Sequence, residues 1–403
     1  MSEQRHQQID GGNKTTQRFF RRLREGAPVE YCIEACQPVH SRYSDCRQCE
    51  QSCPVHAIHF SEAGVEVDAS CSGCGQCAVA CPTGALGVPG FAVPHLRPVT
   101  TEPVYIDCWQ VPVAHSAKDT MRVPCLGGIS LGRLVELKIA AGNRRIVLLD
   151  RGWCTSCATG MDEVHPAARC MEAARDLLQQ MRVPSSQCPS IESRPLPLSL
   201  RSPAKPGHRD EQRLSRRAFF SDLAASITNT ASEINPLTSG KQPPVLGGRN
   251  RAPMPSRERD RLLVQLRSLG EVTGAPLPPS LFPALDIDKE RCRHHQLCAA
   301  TCPTGALTAF NASDVSGMVF DSSGCIACGH CEAICPDRAL RLLPHGDGQV
   351  PARPKVIARV RQRACTGCGR TFEESAADTQ CPSCSKRTEL AGAAFHALFG
   401  RPN

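Results

Sequence analysis

The clearest pattern of apolar and polar residues lies in the middle of the chain. Three short apolar stretches are typical of buried strands: VYIDC (104–108), MRVPC (121–125) and RRIVLLD (144–150). Two longer segments carry apolar residues at helical spacing: SLGRLVELKIAAG (130–142) and HPAARCMEAARDLLQQM (165–181). Pro166 is expected in the first turn of the second helix. Strands that alternate with helices predict a small α/β domain with a parallel sheet over residues 100–182.

The flanking segments have other patterns. Residues 1–30 are polar and basic, and we expect a tail there with a short helix around Arg18–Arg24. Residues 183–283 are rich in Pro, Ser and Arg, which favours a linker, with Cys188 free inside it. Two helices are expected within this linker, near residues 211–228 and 256–270.

Composition changes the picture, because the chain of 403 residues has 26 Cys and only 4% aromatic residues. Small domains with weak apolar cores need disulfides or metals. The N-terminus has no apolar export signal, and no apolar run is long enough to span a membrane. We therefore expect a cytoplasmic protein with reduced thiols, whose grouped cysteines bind metal.

Charge and motifs exclude several functions. The net charge is +8, but many arginines lie in the Pro-rich linker, which favours a solvated segment over a nucleic-acid surface. The sequence contains no dinucleotide turn, P-loop or arrangement of nucleophile and base. We expect no small-molecule substrate, no nucleic-acid partner and no independent catalytic activity.

Two cysteine runs carry the strongest chemistry: Cys71-x2-Cys74-x2-Cys77-x3-Cys81-Pro82 and Cys325-x2-Cys328-x2-Cys331-x3-Cys335-Pro336. Three thiolates two residues apart lie on a tight loop that can hold three irons of a cubane, and the fourth points to another cluster. The peptides CAVACPTGAL (77–86) and CAATCPTGAL (298–307) are nearly identical, which indicates that the two cysteine-rich blocks are variants of one unit.

On these motifs, residues 31–92 and 284–345 resemble bacterial two-cluster ferredoxin domains. The resemblance implies a βαββαβ fold and the transfer of single electrons. It also implies two [4Fe-4S] clusters, whose ligands are Cys53, Cys71, Cys74 and Cys77 in one case and Cys302, Cys325, Cys328 and Cys331 in the other.

Each block has one incomplete second site. In the first block, Cys46, Cys49 and Cys81 remain, and Tyr43 stands where a fourth cysteine is expected. This site either recruits Cys36 or holds a [3Fe-4S] cluster. In the second block, the remaining cysteines are Cys292, Cys298 and Cys335, and His295 stands at the vacant position. This site holds a four-iron cluster with a histidine ligand or a three-iron cluster, or it is empty.

The middle segment has four cysteines near the predicted strand ends: Cys108, Cys125, Cys154 and Cys157. They are enough for a [2Fe-2S] cluster or a zinc ion, and the alternative is that they are buried structural residues. Cys170 is expected in the core. DCW (107–109), RVPCLGG (122–128) and IVLLDRGWCTSC (146–157) are similar to the delta subunit of methyl-viologen-reducing hydrogenases, although an extra cysteine of that family is missing. The resemblance implies a [2Fe-2S] cluster.

Near the C-terminus, residues 360–390 contain two CxxC pairs, formed by Cys365, Cys368, Cys381 and Cys384. This pattern predicts a zinc-ribbon-like module that binds zinc, or iron as in rubredoxin. LSRRAFFSDL (214–223) resembles the start of cytoplasmic ferredoxins that accompany periplasmic nitrate reductase.

The expected fold is therefore α+β, with two ferredoxin-like domains, the α/β domain between them and the C-terminal module. The expected function is to relay single electrons to or from a partner hydrogenase, heterodisulfide-reductase-like enzyme or molybdoenzyme. The alternative is an accessory factor for maturation of a molybdenum or nickel redox enzyme.

Overall fold

The computed structural model describes residues 21–22, 29–40, 44–61, 64–94, 96, 102–160, 164–201, 256–312, 314–343, 350, 353–373 and 379–399. These residues form two compact units. One unit contains the described parts of 34–46 and 252–403, and the other contains those of 18–33 and 47–251. Among the described helices, none has both the length and the apolar character that a membrane span requires.

The first cysteine block is built from short elements: β1 (Arg21–Arg22), β2 (Glu30–Tyr31), α1 (Gln37–His40), α2 (Gln48–Gln51), β3 (Ile58–Ser61), β4 (Gly64–Val67), α3 (Gln76–Ala80) and β5 (Leu86–Gly87). Strand β2 pairs antiparallel with β1 and β5, and β3 pairs antiparallel with β4. Helix α1 belongs to the other unit. Without α1, the order from β2 to β5 is βαββαβ, as the ferredoxin resemblance implies. The helix expected around Arg18–Arg24 is wrong, because Arg21 and Arg22 form a strand edge.

The middle segment contains a four-stranded parallel sheet. Its elements are β6 (Val104–Cys108), β7 (Met121–Val123), α4 (Leu131–Ala141), β8 (Ile146–Asp150), α5 (Ala168–Gln180) and β9 (Ser190–Ser193). The strand order is β7-β6-β8-β9, and all three pairings are parallel. The alternation of strands and helices therefore predicted the sheet type correctly. Ser130 begins α4, since its hydroxyl accepts a hydrogen bond from the Arg133 N–H at 3.3 Å.

Three details of this segment differ from the sequence-based expectation. Strand β7 ends two residues before Cys125, and Pro166 precedes α5 instead of lying in its first turn. Strand β9 adds a fourth strand within the segment expected to be a linker. Cys188, next to that strand, is 4% exposed and belongs to this packed region. The expectation of a linker is therefore wrong for the residues of β9, because this strand is too polar and too short to have a clear strand pattern.

The core of the middle segment lies between the sheet and its two helices. Ile106 and Leu148 on the strands and Leu137 on α4 are fully buried. Met171 on α5 belongs to the same apolar cluster. These residues occupy the apolar positions that produced the strand and helix patterns, so local periodicity and tertiary burial agree.

The second cysteine block repeats the βαββαβ order after a longer helix: α6 (Arg257–Thr273), β10 (Ala284–Ile287), α7 (Leu297–Ala300), β11 (Leu307–Asn311), β12 (Val315–Phe320), α8 (His330–Ala333) and β13 (Leu340–Leu343). Strand β10 pairs with β13, and β11 pairs with β12. Helix α6 confirms the prediction near 256–270. Its Arg259 donates hydrogen bonds to the carbonyl oxygens of Leu281, Ser322 and Ser323, so the helix is fixed beside the cysteine loop.

The C-terminal elements are β14 (Lys355–Ala364), β15 (Thr371–Glu373) and α9 (Pro382–Phe399). Strand β14 pairs antiparallel with β12 and with β15, which gives the sheet order β11-β12-β14-β15. The C-terminal cysteines therefore follow a strand that pairs with β12 of the second cysteine block. The helix expected near 211–228, with LSRRAFFSDL, lies outside the described residues.

Candidate metal centres

Four Cys-Pro sequences adopt the same turn, in which the third residue after the cysteine has a positive φ: His56 (50°), Gly84 (62°), Gly305 (71°) and Arg338 (49°). In each turn a following backbone N–H donates to the cysteine Sγ. These hydrogen bonds are Ala57 to Cys53 (3.2 Å), Ala85 to Cys81 (3.1 Å), Leu307 to Cys302 (3.4 Å) and Ala339 to Cys335 (3.4 Å). Such N–H···S bonds orient a thiolate and stabilise its charge, as cluster ligands require.

The first complete set of thiols surrounds one cavity, which is lined by Cys53, Cys71, Cys74 and Cys77. Burial raises the pKa of Cys71 and Cys74, and it raises that of Cys77 well above the usual value. Neighbouring thiols add to each shift. Buried thiols of this kind lose their protons only when a nearby cation compensates the charge. The donor set therefore fits a metal cluster.

The second complete set consists of Cys302, Cys325, Cys328 and Cys331. Burial raises the pKa of Cys325 to about 11 and also raises the pKa of Cys331. Repulsion from other thiols of the set adds to the shifts of Cys325 and Cys331. Cys328 is exposed, whereas the other three are partly buried, so one corner of this site lies at the surface.

The incomplete site of the first block is not brought together within one unit. Cys49 and Cys81 belong to the unit that contains the middle segment, and Cys36 and Cys46 belong to the other unit. Tyr43 lies outside the described residues. Recruitment of Cys36 therefore stays a prediction.

The incomplete site of the second block keeps its three cysteines together. Burial raises the pKa of Cys298 to about 11, and Cys335 and Cys292 are close enough to add to that shift. The vacant position is occupied by His295, whose Nδ1 lies 3.1 Å from Oδ2 of Asp337. The His295 side chain is 48% exposed and that of Asp337 is 23% exposed. No pattern in the sequence indicated a role for this aspartate.

The four cysteines of the middle segment line one cavity, and Cys74 of the first cysteine block lines it too. The strand ends thus converge as expected, while the ligand role of Cys108, Cys125, Cys154 and Cys157 stays a prediction. Burial raises the pKa of Cys125 to about 12 and also raises those of Cys108 and Cys154. These thiols also need a compensating cation if they are to ionise.

Two polar side chains that the sequence did not single out contact these thiols. The Thr159 hydroxyl donates to Cys157 Sγ at 3.2 Å and lies 3.5 Å from Cys125 Sγ. The guanidinium group of Arg201 donates to Cys157 Sγ at 2.8 Å. A charged donor at this distance stabilises a thiolate.

A smaller group of potential metal ligands, which was not expected from the sequence, lies beside this cavity. One potential ligand atom from each of Asp150, Cys154 and His165 lies within 4.8 Å of the others. Burial lowers the pKa of His165, and the charge of Asp150 opposes that shift. The position of Asp150 at the carboxyl end of β8 was the available signal. By contrast, Cys170 donates to the Ile129 carbonyl oxygen at 3.3 Å and packs against the core, as predicted.

The C-terminal cysteines form a compact set. The Sγ atoms of Cys365, Cys368, Cys381 and Cys384 all lie within 4.8 Å of one another, and those of Cys368 and Cys381 are 3.7 Å apart. A tetrahedral site with metal–sulfur bonds of about 2.3 Å requires sulfur separations of about 3.8 Å. The N–H groups of Gly367 and Cys381 donate to Cys365 Sγ at 3.4 and 3.1 Å. The set therefore fits a single tetrahedral metal ion.

Comparison with known families agrees with this chemistry. Residues 43–88 match the family model of the LdpA Fe-S cluster-binding domain, and residues 318–341 match that of the 4Fe-4S binding domain. No curated protein matches the chain at a significant level. Each match lies within one of the two cysteine blocks, and the second includes Cys325, Cys328, Cys331 and Cys335 but not Cys292, Cys298 or Cys302. The matches support an iron–sulfur protein with a role in electron transfer.

Proposed function

We propose that this protein relays single electrons through several iron–sulfur clusters, to or from a partner oxidoreductase. The observation that carries the proposal is the presence of two complete thiol sets built in the same way, each from a CxxCxxC loop and one cysteine of a Cys-Pro turn. Cys53, Cys71, Cys74 and Cys77 would hold one [4Fe-4S] cluster. Cys302, Cys325, Cys328 and Cys331 would hold another.

The clusters, when bound, supply the one-electron chemistry, and the chain controls their surroundings. Backbone N–H groups donate to the sulfurs of Cys53 and Cys302, which lowers the electron density on these ligands and favours the reduced state. Partial burial of Cys302, Cys325 and Cys331 shields three corners of the second set from water. The exposed corner at Cys328 is the position from which an electron would leave for a partner.

We assign two further metal centres on the same reasoning. Cys108, Cys125, Cys154 and Cys157 would hold a [2Fe-2S] cluster, which the charged hydrogen bond from Arg201 would favour in its reduced form. Cys365, Cys368, Cys381 and Cys384 would hold zinc, with iron as the alternative, because four thiols without an open position are typical of a structural site.

The direct test is metal and sulfide analysis of protein purified without oxygen, together with EPR spectra before and after reduction by dithionite. Cys71→Ser and Cys325→Ser should each alter or remove one reduced four-iron signal and leave the other. Cys170→Ser is the control, since this thiol packs in the core and should change no signal. Protein that is colourless, or that binds only zinc at residues 71–81 and 325–335, would overturn the proposal.

The partner is proposed to be a cytoplasmic hydrogenase, heterodisulfide-reductase-like enzyme or molybdoenzyme. An electron-transfer subunit should remain bound to the mature enzyme during anaerobic affinity purification, and it should be reduced by that enzyme when the substrate is added. An accessory factor for maturation should instead be recovered with the partner that still lacks its molybdenum or nickel cofactor. Metal analysis of the recovered partner separates the two functions.

A further inference from the structure

The loop of residues 292–298 has the backbone of a cluster-binding loop, although histidine replaces its middle cysteine. In the two full cysteine runs, the second and fourth residues after the first cysteine have positive φ: Gly73 (68°), Gly75 (82°), Ala327 (52°) and Gly329 (72°). The corresponding residues after Cys292 also have positive φ: His294 (50°) and Gln296 (56°). His295 therefore occupies the loop position that Cys74 and Cys328 occupy in the other two loops.

This conformation is informative because a left-handed backbone is unfavourable for residues that carry a Cβ atom. Neither His294 nor Gln296 is glycine, so the sequence alone does not favour the turn at either position. The pattern is also not a general property of cysteines at this spacing. In the incomplete site of the first block, Asp45 and Arg47 are the second and fourth residues after position 43, where the first cysteine is missing. Arg47 has φ −126°, and Asp45 has no positive φ.

A carboxylate orients the histidine at this position. His295 Nδ1 lies 3.1 Å from Oδ2 of Asp337, and the same oxygen accepts the N–H of Arg293 at 3.1 Å. Asp337 belongs to the Cys-Pro turn that begins at Cys335, a thiol of the same site. A carboxylate oxygen accepts a hydrogen bond from Nδ1–H, which leaves the lone pair of the neutral ring on Nε2. Histidines that ligate metals are held in this way by a carboxylate on the other ring nitrogen.

From the loop backbone and the carboxylate contact, we propose that Nε2 of His295 is the fourth ligand of a [4Fe-4S] cluster held by Cys292, Cys298 and Cys335, and that Asp337 positions it. The inference rests on the proposed electron-transfer function and extends it to this incomplete site. A neutral imidazole in place of a thiolate raises the reduction potential. The site would then accept one electron from the cluster of Cys302, Cys325, Cys328 and Cys331, which is oxidised by one electron in the same step.

The test uses the full chain, reduced stepwise without oxygen, and pulsed EPR that detects ¹⁴N bound to a reduced cluster. The wild-type protein should show a strong ¹⁴N coupling. His295→Cys should remove the ¹⁴N coupling and retain the iron. It should also lower the reduction potential of this site, so that the ratio of oxidised to reduced cluster at a fixed applied potential rises at least tenfold. For one electron, a tenfold change in this ratio corresponds to 59 mV. His59→Gln is the matched control, because His59 forms a similar pair with Asp68 at 3.2 Å in the first cysteine block and is not a ligand of the site formed by Cys292, Cys298 and Cys335.

Asp337→Asn tests the positioning role separately. This change removes the negative charge behind the imidazole, so the ligand becomes less basic. The potential should therefore rise, opposite to the effect of His295→Cys, and the ¹⁴N coupling should change while the iron content stays the same. A residue with a purely structural role would leave the ¹⁴N coupling unchanged.

Several results would overturn the inference and leave the proposed function intact. One is a wild-type protein with its clusters but without ¹⁴N coupling. Another is a three-iron signal in the oxidised wild type that His295→Cys converts to a four-iron signal. Failure of the proposed function is a different outcome, since iron–sulfur absorption would then be absent from the complete sets as well.

Discussion

A buried ion pair holds together the two strand ends that lead into the middle cavity, and its removal gives the sharpest test of the fold. Arg151 donates from Nε to Oδ1 of Asp107 and from Nη2 to Oδ2, both at 2.8 Å. The Asp107 side chain is 0% exposed and that of Arg151 is 10% exposed. The Ser116 hydroxyl also donates to Asp107 Oδ2 at 2.8 Å. Asp107 precedes Cys108 directly, so the pair fixes the sulfur positions as well as the sheet.

The structure sets the expected magnitudes. Asp107→Asn keeps the shape of the side chain and leaves the Arg151 charge buried without a counter-charge, which costs about 3–5 kcal/mol of unfolding free energy. Ser116→Ala removes one hydroxyl donor to the charged carboxylate and should cost about 1.5–3 kcal/mol. Glu136→Gln is the control, since it breaks a partly exposed pair with Arg133 at 2.9 Å on α4. That change should cost about 0.3–0.5 kcal/mol.

The assay is denaturant unfolding followed by tryptophan fluorescence. Both tryptophans of the chain, Trp109 and Trp153, lie in this segment, and Trp153 is 2% exposed. Their emission therefore reports on the unfolding of this region. Asp107→Asn should lower the transition midpoint with little change in the slope.

A double-mutant cycle then tests the reasoning itself. Asp107→Leu and Arg151→Met should each destabilise strongly, because each leaves one charge buried. The double variant should cost less than the sum of the two, since it buries no charge. If the two costs add, or if Asp107→Asn costs no more than Glu136→Gln, the ion pair does not stabilise the fold as argued.

Three further predictions concern packing and ligation. Gly128→Ala would place a Cβ atom in steric overlap with the Cys74 carbonyl oxygen, so the free energy of unfolding should fall by about 1–3 kcal/mol. Its control Gly324→Ala meets no atom closer than 3.6 Å, and equal costs would contradict the argument. Arg201→Gln removes the donor to Cys157 and should lower the middle cluster's potential in a redox titration; an unchanged potential would count against Cys157 as a ligand. Cys381→Ser should remove about one metal ion per chain in elemental analysis and leave the cubane iron unchanged; undiminished metal would exclude this ligand.

Local sequence determined the elements whose pattern repeats over a few residues. The spacing of Cys71, Cys74 and Cys77 marks a cluster loop because three thiols on a short loop can reach one cluster only at such intervals. Strands β6, β7 and β8 and helices α4 and α5 follow from apolar periodicity, because that periodicity reflects which face of each element is buried. The βαββαβ order of both blocks came from a resemblance, since strands of two to six residues have too little periodicity of their own.

Only the tertiary structure decided which distant residues meet. Asp337 lies beside His295, Arg201 contacts Cys157, and Cys74 shares a cavity with the cysteines of the middle segment. Asp337 is 42 residues from His295 in the chain, and Arg201 is 44 residues from Cys157. The sequence around one member of each pair has no local signal for the other. The packing of whole elements determines such contacts. Burial of apolar surface decides the position and orientation of each strand or helix, and individual polar pairs form only within that arrangement. The sequence thus determined the cluster-binding loops, and the packing determined the charges and hydrogen bonds that surround them.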